Sequence, residues 1–267
     1  MNTLPIALPL TPDACADAQR RCLALEISHS GISVLVPGCD AESTAIYAEI
    51  ALGKNHLQQV KAVEEAVYSN PMLLADFRSV SVLIRRSDTL PVPQGFGAWT
   101  TVGQGDESIG EGIASLGIEM AGYCDEELLK FLRRSFNNPY IGTHMSRLCA
   151  YFGRLSRRSN RQRAYVQYLG HSVDVLVFSK QQLLLAASYP VSGVSDALYY
   201  VLAACETAGF SRTEGEMMLA APTECREQLQ SLLRNYVNYV MPLIIPADLC
   251  RQAPLELALA ARPNSHD

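Results

Sequence analysis

"YVQYLGHSVDVLVFSKQQLLLAASYPVSGVSDALYYVLAA" (residues 165–204) is the most strongly patterned stretch of the chain. Its apolar and polar residues alternate around two tight turns, which predicts three consecutive strands. A loop containing Gly193 follows, and an apolar helix is predicted over residues 195–208. Strand, turn, strand, turn, strand, loop and helix is how many phosphate-handling domains begin. The stretch therefore raises the question of whether the groups that handle phosphate are also present.

The first half of the chain repeats part of this pattern. "ISHSGISVLV" (residues 27–36) and "LGHSVDVLV" (residues 169–177) share a His-Ser turn followed by Val-Leu-Val. In each half a third strand, a helix and a further strand are predicted to follow. The repeated order predicts a duplicated α/β unit, in which mixed sheets are flanked by helices and a cleft lies between the halves.

This duplication divides the chain into two predicted subdomains, residues 1–158 and residues 159–267. The first is expected to contain a tail at residues 1–20 and a glycine-rich, mobile loop at about residues 95–112, with one strand within residues 113–120. The second is expected to end in a short helix or a tail. Further helices are predicted over residues 55–70, 124–136, 140–158 and 223–240.

Composition and charge limit the classes of protein to consider. The 267 residues are 48% apolar and 18% charged, which is typical of a globular chain with a proper core. A net charge of −5 argues against a nucleic-acid binder. No apolar stretch is long enough to predict a transmembrane helix, and the first residues do not have the pattern of a signal peptide. The eight cysteines form no Cys-x-x-Cys pair, so reduced, mostly buried thiols and a cytoplasmic location are predicted.

The order of elements resembles the actin-like ATPase superfamily, which includes actin, Hsp70 chaperones and sugar kinases. More closely, the chain resembles an uncharacterised Bacteroidetes domain-of-unknown-function family with a degenerate actin-like ATPase fold, which is also ribonuclease H-like. The run "LLLAASYPVSGVSDALYYVLAA" (residues 183–204), the segment "SDTLPVP" (residues 87–93) and the later "LRNYVNYVMPL" (residues 233–243) match it. The resemblance implies a two-lobed actin-like fold with no assigned activity. The matching residues of the first run are Tyr189, Asp196, Leu198, Tyr199, Tyr200 and Leu202.

Active members of that superfamily use two glycine-rich hairpins, each with an acidic residue near its start, to hold phosphates and Mg²⁺. In the first hairpin the acid is matched by Glu26, but Ser28 stands in place of glycine. In the second hairpin, Gln167 stands in place of the acid and Leu169 in place of the glycine. An amide cannot replace a carboxylate at a metal without losing a unit of charge, and a side chain at position 169 would obstruct phosphate. We therefore predict no catalytic residue, no metal and no cofactor. The cleft candidates are Glu26, Ser28, Gly170, Asp174 and Gly193.

A cluster of arginines lies at the predicted junction of the halves, in "RLSRRSNRQR" (residues 154–163). The cluster is explained by a solvated linker or, alternatively, by a binding site for an acidic protein partner, an anionic lipid or RNA. No interleaved aromatic residues support RNA. The candidate partner-binding residues are Arg154, Arg157, Arg158, Arg161 and Arg163.

Together these features predict a non-catalytic actin-fold scaffold or assembly protein that acts through protein–protein contacts or self-association. The alternative is a nucleotide-binding ATPase or small-molecule kinase that uses ATP and Mg²⁺ in the cleft. That alternative requires Glu26 or Asp174 to face a phosphate-sized pocket together with Ser28 and Gly170. Side chains that plug the cleft would favour the scaffold.

Overall fold

The computed structural model describes residues 17–38, 45–52, 59–97, 103, 105–246 and 253–262. The strands are β1 (Cys22–Ile27), β2 (Gly31–Val36), β3 (Ile46–Ala51), β4 (Ser79–Ile84), β5 (Leu90–Pro93), β6 (Asp106–Ser108), β7 (Glu111–Ile113), β8 (Ile118–Ala121), β9 (Tyr123–Asp125), β10 (Tyr140–Thr143), β11 (Arg163–Tyr168), β12 (Ser172–Ser179), β13 (Gln182–Pro190), β14 (Glu216–Ala220) and β15 (Tyr239–Pro242). The α-helices are α1 (Gln59–Tyr68), α2 (Glu126–Ser135), α3 (His144–Ser156), α4 (Val194–Thr207), α5 (Thr223–Leu233) and α6 (Leu255–Ala260).

Two five-stranded sheets have the same strand order. The first runs β3-β2-β1-β4-β10 and the second runs β13-β12-β11-β14-β15. In both, the first three strands are antiparallel neighbours and the last three are parallel neighbours. The helices also take equivalent places, since α1 and α4 precede the fourth strand of their sheet and α2 and α5 precede the fifth in the chain. The predicted duplicated α/β unit with mixed sheets is confirmed.

Three apolar cores hold these layers together. One joins the first sheet to α1 and α2, and another joins the second sheet to α4 and α5. The middle core is formed by α3 and α6 with the inner faces of both sheets. In it the rings of Phe152 on α3 and Tyr165 on β11 stack with centroids 4.0 Å apart. The middle core is what fixes the two units relative to each other, because it buries apolar side chains of both.

The segment between β4 and β10 carries two small additional sheets. One has the order β5-β8-β7 and the other pairs β6 with β9. The prediction of a loop with one strand was wrong here, because β6 and β7 lie inside the predicted mobile loop and β9 follows β8. Strands of three residues are too short to give an alternating pattern. Residues 98–102 and 104 of that loop lie outside the described residues.

Two predicted helices also contain strands. In residues 140–158, β10 pairs in parallel with β4, and α3 begins only at His144, where the hydroxyl of Thr143 accepts from the backbone N–H of Ser146 at 3.1 Å. In residues 223–240 the helix ends at Leu233, and β15 pairs with β14. Both strands have four residues, and their pairing with a distant strand overrides local propensity.

The cysteines of the described residues are free thiols: Cys22, Cys124, Cys149 and Cys205 are buried, and Cys225 is half-buried. The other three, Cys15, Cys39 and Cys250, lie outside the described residues, as does most of the predicted tail. Among the helices described, none is long and apolar enough to cross a bilayer. The domain boundary at residue 158 stays a prediction. The C-terminal helix α6, which that boundary assigns to the second half, packs against α3, β1 and β4.

Candidate functional site

A buried arginine lies at the meeting point of the two sheets. Arg85 directly follows β4, and its backbone N–H donates to the carbonyl of Ile27 at the end of β1. Because β1 and β4 are parallel and in register, its side chain lies beside Glu26 on β1, and Nε donates to Oε1 at 2.8 Å. Arg85 is 7% exposed and Glu26 is 4% exposed. A guanidinium thus occupies the end of the first sheet where the first hairpin begins.

The same guanidinium reaches the second sheet and the C-terminal helix. Nη1 donates to Asp174 on β12, at 3.1 Å from Oδ1 and 2.9 Å from Oδ2, and Nη2 donates to Glu256 on α6. The other oxygen of Glu256 accepts from Nε2 of Gln167 on β11 at 2.5 Å. Nε2 of His144, the first residue of α3, lies 3.5 Å from Oδ1 of Asp174. We call Arg85, Glu26, Asp174 and Glu256 the Arg85 cluster.

The Arg85 cluster contains three carboxylates and one guanidinium. Burial raises the pKa of Glu256 to about 7; Arg85 opposes this rise, whereas the neighbouring Glu26 and Asp174 add to it. Burial also acts to raise the pKa of Asp174, but Arg85 and His144 outweigh it and hold that pKa well below its usual range. For Arg85, burial lowers the pKa and the three acids raise it, with a net rise. The arginine is therefore permanently charged, and Glu256 takes a proton more readily than Asp174 does.

Equivalent positions of the two units carry different groups. Glu26 is the fifth residue of β1 and lies opposite Ser33, and Gln167 is the fifth residue of β11 and lies opposite Asp174. The position of the Glu26 carboxylate thus carries the Gln167 amide in the second unit. The position of the Ser33 hydroxyl carries the Asp174 carboxylate. The pair of charges needed for a symmetric metal site is absent from these two described positions.

A cleft of about 880 Å³ opens above the Arg85 cluster, between the β1–β2 turn and the β11–β12 turn. In the first turn the hydroxyl of Ser28 accepts from the backbone N–H groups of Ser30 at 3.3 Å and Gly31 at 3.1 Å. In the second turn Gly170 has a φ of +88°, which favours glycine. Its carbonyl accepts from the hydroxyl of Tyr168 at 3.3 Å. The hydroxyl of Ser28 is thus engaged in hydrogen bonds within its own turn.

The five cleft candidates fall into two groups. Glu26 and Ser28 line the cleft, and Asp174 lies beneath it with no exposed surface. Gly170 and Gly193 are not among the residues that line it. Gly193 precedes α4 with an extended backbone, at φ 174°. The structure therefore brings Glu26 and Asp174 together, and both carboxylates accept hydrogen bonds from Arg85. In the part of the chain that the structure describes, no three His, Cys, Asp or Glu side chains are arranged to hold a metal ion.

The comparisons with known proteins agree with this architecture. The family described as "Protein of unknown function (DUF3822)" matches residues 14–240. The chain belongs to this family. Among solved structures, a Bacteroides thetaiotaomicron protein with an actin-like ATPase fold and unknown function is 16% identical, with a TM-score of 0.73 over 85% of this chain and 92% of that one. The fold of this DUF3822 protein is therefore actin-like. A search of curated proteins gave no match.

More distant structural similarities extend over much of the chain. The PilM–PilN type IV pilus biogenesis complex is 12% identical, with a TM-score of 0.48 over 83% of this chain and 88% of that one. The ethanolamine utilization protein EutJ from Carboxydothermus hydrogenoformans is 10% identical, with a TM-score of 0.42 over 97% of this chain and 89% of that one.

Sequence reasoning missed the central residue of this DUF3822 site. Arg85 follows an ordinary apolar strand and is adjacent to a second arginine, so nothing local distinguishes it. Glu256 did carry a signal, because it is the one charged residue in the apolar run "LELALA" (residues 255–260), and a buried acid needs a partner. His144 is also fully buried, at the start of α3, where a helix was predicted to continue.

The arginine cluster at the junction is partly engaged within the chain. Arg163 donates to Glu216 at 3.0 Å and to the carbonyl of Leu155 at 3.3 Å. Arg161 lies 3.7 Å from Glu216 and above the ring of Tyr239, at 5.3 Å from its centroid. Arg157 donates to the carbonyl of Ser115 at 3.2 Å. Arg154 and Arg158 are exposed. The role of these residues in partner binding stays a prediction.

Proposed function

We propose that this protein is a non-catalytic actin-fold scaffold that acts through contacts with other proteins. The observation that carries the proposal is the Arg85 cluster. Both acids that could hold a metal shell or position a water, Glu26 and Asp174, direct their oxygens to one guanidinium. A cation already occupies the position between them.

The free energy of this arrangement favours its persistence. To bring Mg²⁺ to Asp174, the protein would have to remove Arg85 from a site where that acid has no exposed surface. Separating a buried ion pair costs about 3–5 kcal/mol, because an uncompensated charge remains. Here the separated arginine would also leave Glu256 without its cation. Binding of Mg²⁺ with ATP would have to offset that cost before any catalysis.

Exposed apolar side chains support the contact role. The side chain of Ile244, which lines the cleft, is 85% exposed, and that of Tyr199 on α4 is 67% exposed. Aromatic side chains such as that of Tyr199 are enriched in surfaces where a second protein binds. Exposed arginines such as Arg158 add a charged rim that an acidic partner surface would complement.

The first test is calorimetric titration with ATP and Mg²⁺, together with an assay of phosphate release. We expect neither binding at submillimolar concentration nor hydrolysis. Hydrolysis that disappears in a folded Asp174→Asn variant would overturn the proposal and favour a nucleotide-dependent enzyme.

The second test addresses the contact role directly. A photo-crosslinking amino acid is placed at Ile244, at Arg158 and, as a control, at exposed Lys180. In the native cell we expect a defined protein adduct from Ile244 or Arg158 and none from Lys180. Adducts equally distributed over the three positions would count against a specific contact surface.

A further inference from the structure

Polar side chains line the cleft above the Arg85 cluster mainly on the first unit, and apolar side chains line it mainly on the second. The polar wall belongs to the first unit and is formed by hydroxyl and carboxylate side chains: Ser28, Ser30, Ser33, Tyr47, Glu26 and Glu49. The apolar wall belongs to the second unit and includes Ala221, Leu243, Ile244 and Ile245. A ligand that fits both walls has a polar head and an apolar stem.

The polar wall is rich in hydrogen-bond acceptors. Glu49 is exposed on β3 and accepts from the hydroxyl of Tyr47. On the side of the second unit, the lining residue Gln167 is 3% exposed, and its Oε1 has no hydrogen-bond partner among the described residues. Its Nε2 is already engaged by Glu256, so the oxygen is the unpaired group of this buried amide. A buried acceptor without a partner favours a ligand that donates hydrogen bonds.

The net negative charge beneath the cleft also favours a cationic ligand that donates hydrogen bonds. Because Glu256 has a pKa of about 7, the Arg85 cluster carries an excess of one to two negative charges over its single guanidinium near neutral pH. These groups are shielded from water, so their field is less screened than that of surface charges. On the lining itself, two carboxylates face one arginine, Arg226, which together with His171 lies on the side of the second unit. A phosphate would meet mostly acceptors and negative charge here.

We infer that the cleft binds a guanidinium group on an apolar stem, with the guanidinium against Glu49 and Gln167 and the stem against Ile244. A guanidinium is planar, carries only donors and is weakly hydrated, which suits a half-buried wall of acceptors. This preference for a cationic hydrogen-bond donor is the reverse of that of a phosphate site, which binds an anionic acceptor.

The test uses small probes that share one stem. n-Butylguanidine, butyrate and 1-butanol are titrated into the full chain by calorimetry or ligand-observed NMR. We expect n-butylguanidine to bind with a Kd of about 1 mM, as befits so small a ligand, and the other two to bind at least about tenfold more weakly. No binding of n-butylguanidine at about 10 mM would overturn the inference, as would equal binding of butyrate.

Variants locate the binding. Glu49→Gln should weaken n-butylguanidine binding about threefold to fivefold, since an exposed charged contact contributes up to about 1 kcal/mol. Glu227→Gln, an exposed change on α5 outside the cleft, should leave it unchanged. Equal effects of the two changes would overturn the assignment to the cleft.

Two short peptides then distinguish the source of the guanidinium. If acetyl-Val-Arg-Val-amide binds more tightly than n-butylguanidine and acetyl-Val-Gln-Val-amide does not bind, the group belongs to an arginine of a protein partner. If the arginine peptide binds no more tightly than n-butylguanidine, the source is a small molecule. Both results uphold the guanidinium chemistry. ATP hydrolysis would instead overturn the scaffold proposal, so the two failures are distinguishable.

Discussion

Arg85 Nη1 donates to both carboxylate oxygens of Asp174, at 3.1 and 2.9 Å, across the junction of the two sheets. A side chain positioned by β1 and β4 of the first unit thereby neutralises an acid of β12 in the second. One covalently attached cation therefore connects the two units.

Arg85→Leu is expected to lower the free energy of unfolding by about 3–5 kcal/mol, because it leaves three buried carboxylates without their cation. Arg86→Leu is the matched control. Arg86 pairs with Asp88 at 2.7 Å on the surface, with 37% of its side chain exposed, so about 1 kcal/mol or less is expected. Guanidinium chloride unfolding of both variants measures the difference, and equal losses would contradict a central role for Arg85.

Glu256 makes stability depend on pH. Its pKa is raised to about 7 in the folded protein, above the ordinary value of 4.5, so the folded state binds this proton more tightly than the unfolded state does. The resulting stabilisation is complete below about pH 4.5 and is lost as the pH rises through about 7. We expect the free energy of unfolding to fall by up to about 3 kcal/mol from about pH 5 to about pH 8.

Glu256→Gln should flatten that part of the pH profile, because the amide does not titrate. Glu227→Gln, an exposed change on α5, should keep the slope of the original protein. A slope that persists unchanged in Glu256→Gln would assign the proton to another group.

Gly31 stands where backbone of the neighbouring strand approaches closely. A Cβ at this position would lie 2.6 Å from the backbone carbonyl oxygen of Ile50 on β3, so Gly31→Ala must displace one strand from the other. We expect a loss of about 1–3 kcal/mol. For Gly112→Ala no atom lies within 4 Å of the added carbon, so this variant is the control and should stay within about 1 kcal/mol of the original protein. Thermal unfolding compares the two, and a neutral Gly31→Ala would contradict the strand contact.

Buried cysteines should resist alkylation in the folded protein. Burial raises the pKa of Cys205 to about 12 and that of the fully buried Cys149 further still, so neither forms thiolate near neutral pH. With iodoacetamide and peptide mapping, we expect half-buried Cys225 to be labelled before either of them, and all three to be labelled in guanidinium chloride. Early labelling of Cys149 in buffer would contradict its burial.

Substitutions of Arg163 and Arg158 should have different effects, the first on stability and the second on partner binding. Arg163→Ala removes the bonds to Glu216 and to the Leu155 carbonyl and should cost about 1 kcal/mol of unfolding free energy. Arg158→Ala, at an exposed position, should leave stability unchanged and weaken partner capture in the crosslinking experiment. The reverse pattern would move the partner surface away from the junction.

The sequence predicted the fold well because the fold depends on local pattern. Alternation and tight turns give β1 to β3 and β11 to β13, and the repeated order gives the duplication. The short strands β10 and β15 were not predictable, since their four residues become strands only by pairing with β4 and β14. For the site, Glu26, Gln167 and Asp174 were accessible through their places in the hairpins. Arg85 was not, because its partners are 59, 89 and 171 residues away along the chain.

The position of α6 has a consequence for the order in which the protein can be completed during synthesis. This helix follows every strand of both large sheets, yet it packs against α3, β1 and β4, which the ribosome makes much earlier. Until residues 255–260 emerge, the inner face of the first sheet lacks its cover and Arg85 lacks one of its three acids. The first sheet can therefore bury its inner face against α6 only after the last helix has been made.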